Sequence, residues 1–169
     1  DRLNSVRQQQ AHSDWFANNS KQTYFDYERT PFWRAVDTLI FNEWREEIRK
    51  HPGARVLDVG CAQGRSTFKV MDLDLRIIAF DISKKLVREA ITRYREHKWS
   101  ATATFFVANA TQFPFVNDCL DYVLVYGVLH HLPDPGTTCL EIARVLKPGG
   151  VYFGSENNQT FFRGIFNML

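Results

Sequence analysis

The stretch Val56-Leu57-Asp58-Val59-Gly60-Cys61-Ala62-Gln63-Gly64 decides the fold of this chain. Its opening residues are mostly apolar and predict a short buried strand. Two glycines and an alanine follow, and residues this small let the backbone turn sharply and let a ligand approach the main chain. The stretch therefore predicts a strand that ends in a tight turn open to a ligand.

Predicted strands and helices alternate on either side of this stretch. Further apolar strands are expected at 76–80, 104–108, 121–126 and 151–154, and helices at 31–50, at 64–71, from Ser83 onward and at 137–146. Strands that are apolar on both faces and separated by helices are typical of a parallel sheet covered on both sides. The sequence thus predicts an α/β fold with a doubly wound, mostly parallel, Rossmann-like sheet, whose ligands bind beyond the carboxyl ends of the strands.

Composition excludes several other classes of protein. The 169 residues carry a formal charge of +2 and are 44% hydrophobic, too neutral to indicate a nucleic-acid partner and too apolar to indicate disorder. The cysteines Cys61, Cys119 and Cys139 suggest neither a disulfide framework nor a metal motif, so we expect a reduced, cytoplasmic protein. No apolar run approaches the ~20 residues that span a bilayer.

The turn after the first strand matches one known glycine pattern better than others. A nicotinamide-type GxGxxG would need glycine at Ala62 and Arg65, and no Gly-Lys-Ser/Thr of a P-loop follows. The stretch resembles motif I of the class I S-adenosylmethionine-dependent methyltransferases, an acidic-x-Gly-x-Gly-x-Gly pattern matched by Asp58, Gly60 and Gly64. Ala62 replaces the middle glycine, which is tolerated if the backbone there is not left-handed.

The resemblance extends over residues 55–154, with its elements in the expected order and spacing. The phrases Leu129-His130-His131-Leu132-Pro133 and Ala143 to Gly150 look like the small-molecule branch of these methyltransferases, of which the ubiquinone/menaquinone-biosynthesis type is the best known. The resemblance implies S-adenosylmethionine as cofactor and in-line transfer of its methyl group to a small-molecule acceptor.

Cofactor contacts are implied at the ends of successive strands. Asp81 lies where a carboxylate accepts hydrogen bonds from both ribose hydroxyls, Asn109 is expected near the adenine amine, and Tyr126 near the methionine end. The implied set is Asp58, Gly60, Cys61, Ala62, Gly64, Asp81, Ile82, Asn109, Ala110 and Tyr126. Simpler interpretations stay open: Asp81 as an acid at a helix start, Asn109 in a polar turn, and Phe113 and Phe115 either covering the adenine or packing in the core.

Two adjacent histidines are the weak catalytic candidates. One of His130 and His131 can act as a base on a substrate hydroxyl, or a histidine can simply stand at a helix start beneath the substrate mouth. Sequence neighbours in regular structure point in different directions, which argues against a shared metal, and we expect none.

The two ends of the chain depart from the family pattern. We expect residues 1–50 to form an N-terminal arm and helix that act as a lid, and 51–169 to form the cofactor-binding domain. Tyr24 or Tyr27 would contact the methionine portion and Arg29 its carboxylate, unless these aromatics pack as core. The family's antiparallel C-terminal hairpin has no room in Glu156 to Leu169, where a helix start is predicted from Asn158, so we expect a truncated chain or a partner, as in a homodimer, over the last strand.

Other functions are weighed against methyl transfer. A catalytically silent cofactor-binding or interaction module is the alternative, favoured by Ala62, Asn109 and the short C-terminus. A nucleotide-dependent oxidoreductase is disfavoured by the interrupted glycine pattern. A nucleic-acid methyltransferase would carry a basic patch or Asn-Pro-Pro-aromatic after the fourth strand, where this chain reads Tyr126-Gly127-Val128-Leu129.

Overall fold

A computed structural model describes residues 30–156, together with residues 7, 8, 10, 11, 14, 15 and 18. The helices are α1 (Pro31–Ile48), α2 (Lys84–Arg95) and α3 (Pro135–Val145), and the strands are β1 (Ala54–Val59), β2 (Leu75–Asp81), β3 (Thr102–Val107), β4 (Leu120–Tyr126) and β5 (Leu146–Ser155). Short 3-10 helices, Thr67–Lys69 and Leu129–His131, follow β1 and β4. The expectations for Tyr24, Tyr27, Arg29 and Asn158 to Leu169 lie outside the described residues.

The five strands form one parallel sheet in the order β3-β2-β1-β4-β5. Strand β1 is central, since Val56 is in register with Ile77 of β2 on one side and with Tyr122 of β4 on the other. The chain therefore reverses its winding direction at β1, and this reversal opens a crevice beyond the carboxyl ends of β1 and β4. The predicted α/β, doubly wound parallel fold is confirmed.

Hydrophobic clusters cover both faces of this sheet. On one face, Phe41, Trp44 and Ile48 of α1 pack with strand residues such as Val56. On the other face, Ile142 and Val145 of α3 pack with a second set that includes Leu57, Val59, Val123 and Val125. Residues on both faces of β1 enter these clusters, so the strand is mostly apolar, as a sheet covered on both sides requires; Arg55, which is exposed, and the buried Asp58 are its charged residues.

Two helix starts follow the predicted capping chemistry. The Thr30 hydroxyl accepts a hydrogen bond from the Trp33 amide at 3.4 Å, and Pro31 occupies the first helical position of α1. Ser83 caps α2 in the same way through the Leu86 amide. No helix in the described part of the chain is long and apolar enough to cross a membrane.

The helix predicted at 64–71 is wrong. The structure has a turn there and a single 3-10 helix, Thr67–Lys69, held by backbone bonds such as Lys69 N–H to Ser66 oxygen at 3.1 Å. The hydroxyls of Ser66 and Thr67 both donate to the Asp58 carboxylate, which draws the backbone inward. Side-chain bonds of this kind compete with regular α-helix, and here they prevail.

Candidate functional site

The loop after β1 forms the floor of the crevice. Gly60, Ala62 and Gly64 have φ values of +67°, +46° and +88°, all in the left-handed region. A methyl group on Gly60 would lie 2.6 Å from Cγ2 of Val128, and one on Gly64 would lie 2.4 Å from the Phe68 ring. Both glycines are therefore required for conformation and for space. The condition under which alanine is tolerated without strain, a backbone outside the left-handed region, is not met at Ala62, so this residue carries strain that glycine would not.

Asp58 anchors the loop from below. Its side chain is fully buried and accepts hydrogen bonds from the Ser66 hydroxyl at 2.8 Å and from the Thr67 hydroxyl. Burial raises the pKa of Asp58 to about 6, although these hydroxyl donors act in the opposite direction. The Asp58 carboxylate therefore shapes the loop through its hydrogen bonds with Ser66 and Thr67.

Asp81 ends β2 and bridges two segments of backbone. Its Oδ2 accepts from the Ala62 amide at 3.0 Å, and its Oδ1 accepts from the Ser83 amide at 2.8 Å. Burial raises the pKa of Asp81, and the nearby Asp14 carboxylate adds to the effect. Each oxygen of an ionised carboxylate can accept a second hydrogen bond, so Asp81 retains capacity for two hydroxyl donors.

Cys61 contributes through its main chain. Its amide donates to the Phe80 carbonyl at 2.9 Å, its carbonyl accepts from the Gly64 amide at 2.7 Å, and its side chain is buried. Burial raises the pKa of the Cys61 thiol well above its usual range, and the Asp58 and Asp81 charges act in the same direction. Such a thiol is not a nucleophile.

The segment after β3 is a polar turn beside Asp81. The Asn109 Oδ1 accepts from the Thr111 amide at 2.9 Å and from the Thr111 hydroxyl at 3.0 Å. Ala110 is buried, and its carbonyl accepts from the Thr138 hydroxyl at 2.8 Å. Phe113 packs against Phe80 with ring centroids 5.3 Å apart, so the core interpretation of Phe113 is the correct one.

Tyr126 ends β4 within a polar cluster that reaches α1. Its hydroxyl donates to Asp37 Oδ1 at 2.7 Å, and its ring lies 4.8 Å beneath the Arg65 guanidinium carbon. Arg65 Nη2 in turn donates to both Asp37 oxygens, at 2.9 and 3.1 Å. The hydrophobic pattern of α1 gave no reason to single out an acid on its buried face, and Asp37 was not predicted as a site residue.

His130 lies beyond the end of β4 and is held by Glu156. Its Nδ1 is 2.7 Å from Glu156 Oε2, and the same carboxylate accepts from the amides of Val128 at 3.0 Å and Leu129 at 2.9 Å. A methyl group on Gly127 would lie 3.8 Å from Cε1 of His130, which places the imidazole over the strand end. Glu156 was missed by the sequence analysis, although an acid directly after the last strand is a signal that could have found it.

The two histidine rings lie together, against expectation. Their centroids are 4.0 Å apart in the 3-10 helix Leu129–His131. Successive residues of such a helix leave its axis about 120° apart, so the proximity of the rings comes from their side-chain conformations. His131 is exposed, whereas His130 is half-buried. Within the residues that the structure covers, no group of three or more His, Cys, Asp or Glu side chains is placed to hold a metal ion.

Residues of the N-terminal arm contact the start of α2 beside Asp81. Asp14 accepts from the Ser83 hydroxyl at 3.1 Å, and the Lys85 ammonium donates to Asn18 at 2.6 Å. Asp14 thereby brings a second carboxylate close to Asp81.

The predicted residues lie at the carboxyl ends of neighbouring strands. Asp81, the turn at Asn109, and the loop from Gly60 to Gly64 lie at or directly after the ends of β2, β3 and β1, and Tyr126 and His130 lie at and after the end of β4. Ligands of doubly wound folds bind at this end of the sheet. Comparison with known proteins agrees: residues 57–154 match the family model of the methyltransferase domain.

The chain belongs to the class I S-adenosylmethionine-dependent methyltransferases. S-adenosylmethionine is the cofactor of this family. The residues present fit that group, since Gly60 and Gly64 keep the loop free of side chains and Asp81 offers a carboxylate for ribose hydroxyls. The chain is similar to O-methyltransferase rstn1 of Aspergillus nomiae, with 30% identity over 73% of this chain and 56% of the relative.

Two further curated relatives have similar names. The 27-O-demethylrifamycin SV methyltransferase of Amycolatopsis mediterranei is 32% identical over 80% of this chain and 50% of its own length. The ubiquinone biosynthesis O-methyltransferase of Xanthomonas campestris is 33% identical over 64% of this chain and 45% of its own length. The chain spans about half the length of the curated relatives it matches.

Solved structures share the fold. The 4+2 cyclase SpnF superposes with a TM-score of 0.66 and 30% identity, over 73% of this chain and 46% of that one. A SAM-dependent methyltransferase from Methanosarcina mazei gives a TM-score of 0.57 and 28% identity, over 60% of this chain and 51% of that one. SpnF is thus similar to this chain in sequence and fold but is named a cyclase.

Proposed function

We propose that this chain transfers a methyl group from S-adenosylmethionine to a hydroxyl oxygen of a small-molecule acceptor by in-line displacement. The observation that carries the proposal is the imidazole of His130, held by Glu156 at 2.7 Å over the end of β4. The names of the curated relatives, which are O-methyltransferases, support oxygen as the attacked atom.

The cofactor is proposed to lie across the loop after β1. Gly60, Cys61, Ala62 and Gly64 would contact it through backbone, with Asp58 holding the loop beneath. Asp81 would accept from the ribose hydroxyls, Ile82, Asn109 and Ala110 would border the adenine, and Tyr126 would border the methionine end. Support comes from the left-handed loop and from the Asp81 bridge to the Ala62 amide.

The proposed base is His130. When its Nδ1 donates to the Glu156 carboxylate, its Nε2 is the nitrogen that can accept a proton from an acceptor hydroxyl. The amides of Val128 and Leu129 hold Glu156 in place, so the carboxylate fixes the ring and stabilises the imidazolium that forms. Methyl transfer from a sulfonium removes a positive charge from the cofactor, so alignment and exclusion of water supply most of the remaining acceleration.

The lid remains part of this proposal. Asp14 and Asn18 contact Ser83 and Lys85 at the rim, which supports an arm that folds over the adenosine half of the cofactor. We also propose that the protein acts in the reducing cytoplasm, takes no nucleic acid as substrate, and covers the outer edge of β5 by dimerisation. Light scattering of the purified protein tests the dimer.

The test is methyl transfer from radiolabelled S-adenosylmethionine to a panel of small phenols, with variants His130→Ala, Glu156→Gln and, as a control, the exposed His97→Ala. We expect His130→Ala to lower kcat by about 100-fold, the scale of general base catalysis, and His97→Ala to match the wild type. Affinity for S-adenosylhomocysteine should stay within about twofold in all three, because no ion-pair or hydrogen-bond partner of the cofactor loop is removed.

More acidic phenols sharpen this test. A 2,4-dinitrophenol is ionised at neutral pH and needs no base, so the loss caused by His130→Ala should shrink with it. An equal loss for all phenols would show that His130 positions the acceptor instead of removing a proton. Wild-type rates in His130→Ala would remove the base assignment altogether.

The second function, a cofactor-binding module without methyl transfer, has one observation in its favour. SpnF, 30% identical, is named a cyclase. Tight binding of S-adenosylhomocysteine with no turnover on any acceptor, for the full-length protein, would support this alternative.

A further inference from the structure

Asp37 joins three elements that border the crevice. It lies on α1 and accepts from Arg65 of the cofactor loop at 2.9 and 3.1 Å, and from the Tyr126 hydroxyl at the end of β4 at 2.7 Å. The Lys69 ammonium lies 3.9 Å away on the 3-10 helix that follows the loop. The Asp37 carboxylate therefore binds charged or polar groups of the loop after β1, of the end of β4 and of the 3-10 helix Thr67–Lys69.

This cluster is built inside apolar surroundings. The side chains of Asp37 and Arg65 are 3% and 16% exposed, and the Phe41 ring lies 5.2 Å from that of Tyr126. A buried ion pair contributes little stability compared with apolar packing, while removal of one partner leaves the other charge buried. The Asp37–Arg65 pair is therefore expected to matter more for the positions of α1 and the loop that it joins than for stability.

The cluster completes a set of three carboxylates that hold the cofactor loop. Asp81 fixes Ala62 at the start of the loop, Asp58 fixes Ser66 and Thr67 after it, and Asp37 fixes Arg65 between them. Asp58 and Asp81 belong to the sheet. Asp37 belongs to α1 and so ties the position of a helix to the position of the loop.

We propose that Asp37 is a positioning residue for the cofactor. It holds Arg65 against the Tyr126 ring and thereby fixes the Gly64–Arg65 end of the loop, where the methionine half of the cofactor is proposed to lie. This inference rests on the proposed function for the location of that half. Asp37 itself contacts neither the cofactor nor the acceptor.

The experiment compares two ligands that differ in the methionine half. Calorimetric titration measures the affinity for S-adenosylhomocysteine and for methylthioadenosine, which lacks the amino-acid group. We expect Asp37→Asn to lower the affinity for S-adenosylhomocysteine by at least about tenfold and the affinity for methylthioadenosine by less than about twofold, because Asp81, the proposed ribose ligand, is held by Ala62 and Ser83 and not by Arg65 or Tyr126. General damage to the fold would weaken both ligands together.

A matched control is available on the same helix. Arg45 of α1 makes a bidentate pair with Asp72 at 2.5 and 2.6 Å, away from the strand ends. Asp72→Asn removes a carboxylate–arginine link to α1 without touching the cofactor loop, and both affinities should stay within about twofold. Tyr126→Phe, which deletes one hydroxyl, should lower the S-adenosylhomocysteine affinity in the same selective way and serves if Asp37→Asn does not fold.

A double variant tests the link between the two charges. Asp37→Asn with Arg65→Gln should be no weaker than either single variant, since each disrupts the same unit. The proposal is overturned if Asp37→Asn changes neither affinity, if it lowers both equally, or if the two losses add. Failure of the wild type to bind S-adenosylhomocysteine would instead overturn the proposed function.

Discussion

The carboxylate of Asp81 accepts a hydrogen bond from the Ala62 amide at 3.0 Å, which links the end of β2 to the loop after β1. The residue implied as the ribose ligand therefore also holds the glycine loop. A change at Asp81 would therefore remove the implied ribose ligand and, at the same time, the hydrogen bond that holds the glycine loop.

Asp81→Ala should abolish measurable binding of S-adenosylhomocysteine, with an affinity loss of about 10- to 100-fold or more, the scale of charged hydrogen bonds. Calorimetric titration measures it, with NAD as a ligand that should not bind either protein. Asp121→Asn is the matched control, since that carboxylate pairs with Lys147 at 2.6 Å at the amino ends of β4 and β5, opposite the strand ends that carry the proposed site. Unchanged affinity in Asp81→Ala would place the nucleoside elsewhere.

Ala62→Gly should stabilise the protein. Ala62 has φ +46°, and an L-residue in this region costs about 1 kcal/mol that glycine avoids. Urea unfolding measures the change, and the cofactor affinity should be retained. Ala35→Gly, at an exposed position of α1, should instead lower the free energy of unfolding by about 1 kcal/mol. Destabilisation by Ala62→Gly would mean that the methyl group makes contacts worth more than the strain.

Gly64→Ala and Gly149→Ala separate strain from crowding. Their φ values are similar, +88° and +81°, but a methyl on Gly64 would lie 2.4 Å from the Phe68 ring, whereas nothing lies within 4 Å of one on Gly149. We expect Gly149→Ala to cost about 1 kcal/mol and Gly64→Ala several times more, with loss of cofactor binding. Thermal unfolding of both variants is the measurement, and equal shifts would contradict the crowding argument.

Asp58 should make stability fall as the pH rises. Its pKa is raised from 3.8 to about 6, so the folded state binds more protons than the unfolded state between these values. The contribution is fully present below pH 3.8, is lost as the pH rises through about 6, and is on the order of 3 kcal/mol. Urea unfolding between pH 4 and 7 measures it.

Asp58→Asn should remove this part of the pH dependence, because the amide does not titrate. Asp81, whose pKa is also raised, shifts stability in the same direction and remains in the variant as an internal reference. A pH profile of the same slope in Asp58→Asn and wild type would show that folding does not raise the pKa of Asp58.

Sequence patterns predicted what depends on local chemistry. The strands β1 to β4, the second half of β5, the Thr30 and Ser83 caps and the glycine loop follow from apolar runs, capping residues and small side chains. The helix predicted at 64–71 failed because Ser66 and Thr67 bond to Asp58. The strand predicted at 151–154 begins earlier, at Leu146, because Leu146 pairs with Leu120 of β4.

Contacts across the fold could not be read from the chain. Asp37 reaches Arg65 and Tyr126, and Glu156 reaches His130, only because the sheet order brings the ends of α1, β1, β4 and β5 together. The apolar periodicity of α1 carried no information about Asp37 or its partners. The rule that ligands bind beyond the carboxyl ends of the strands identifies that end of the sheet, but it does not identify which side chains pair there.

The central position of β1 has a consequence for how the protein folds. Its partners are β2, next in the chain, and β4, which follows only after α2 and β3. Pairing of segments that are distant in the chain costs loop-closure entropy before the strand contacts form, and this cost slows folding. The crevice between β1 and β4 therefore completes late, and in a refolding time course the gain of S-adenosylhomocysteine binding should lag behind the gain of helical circular dichroism.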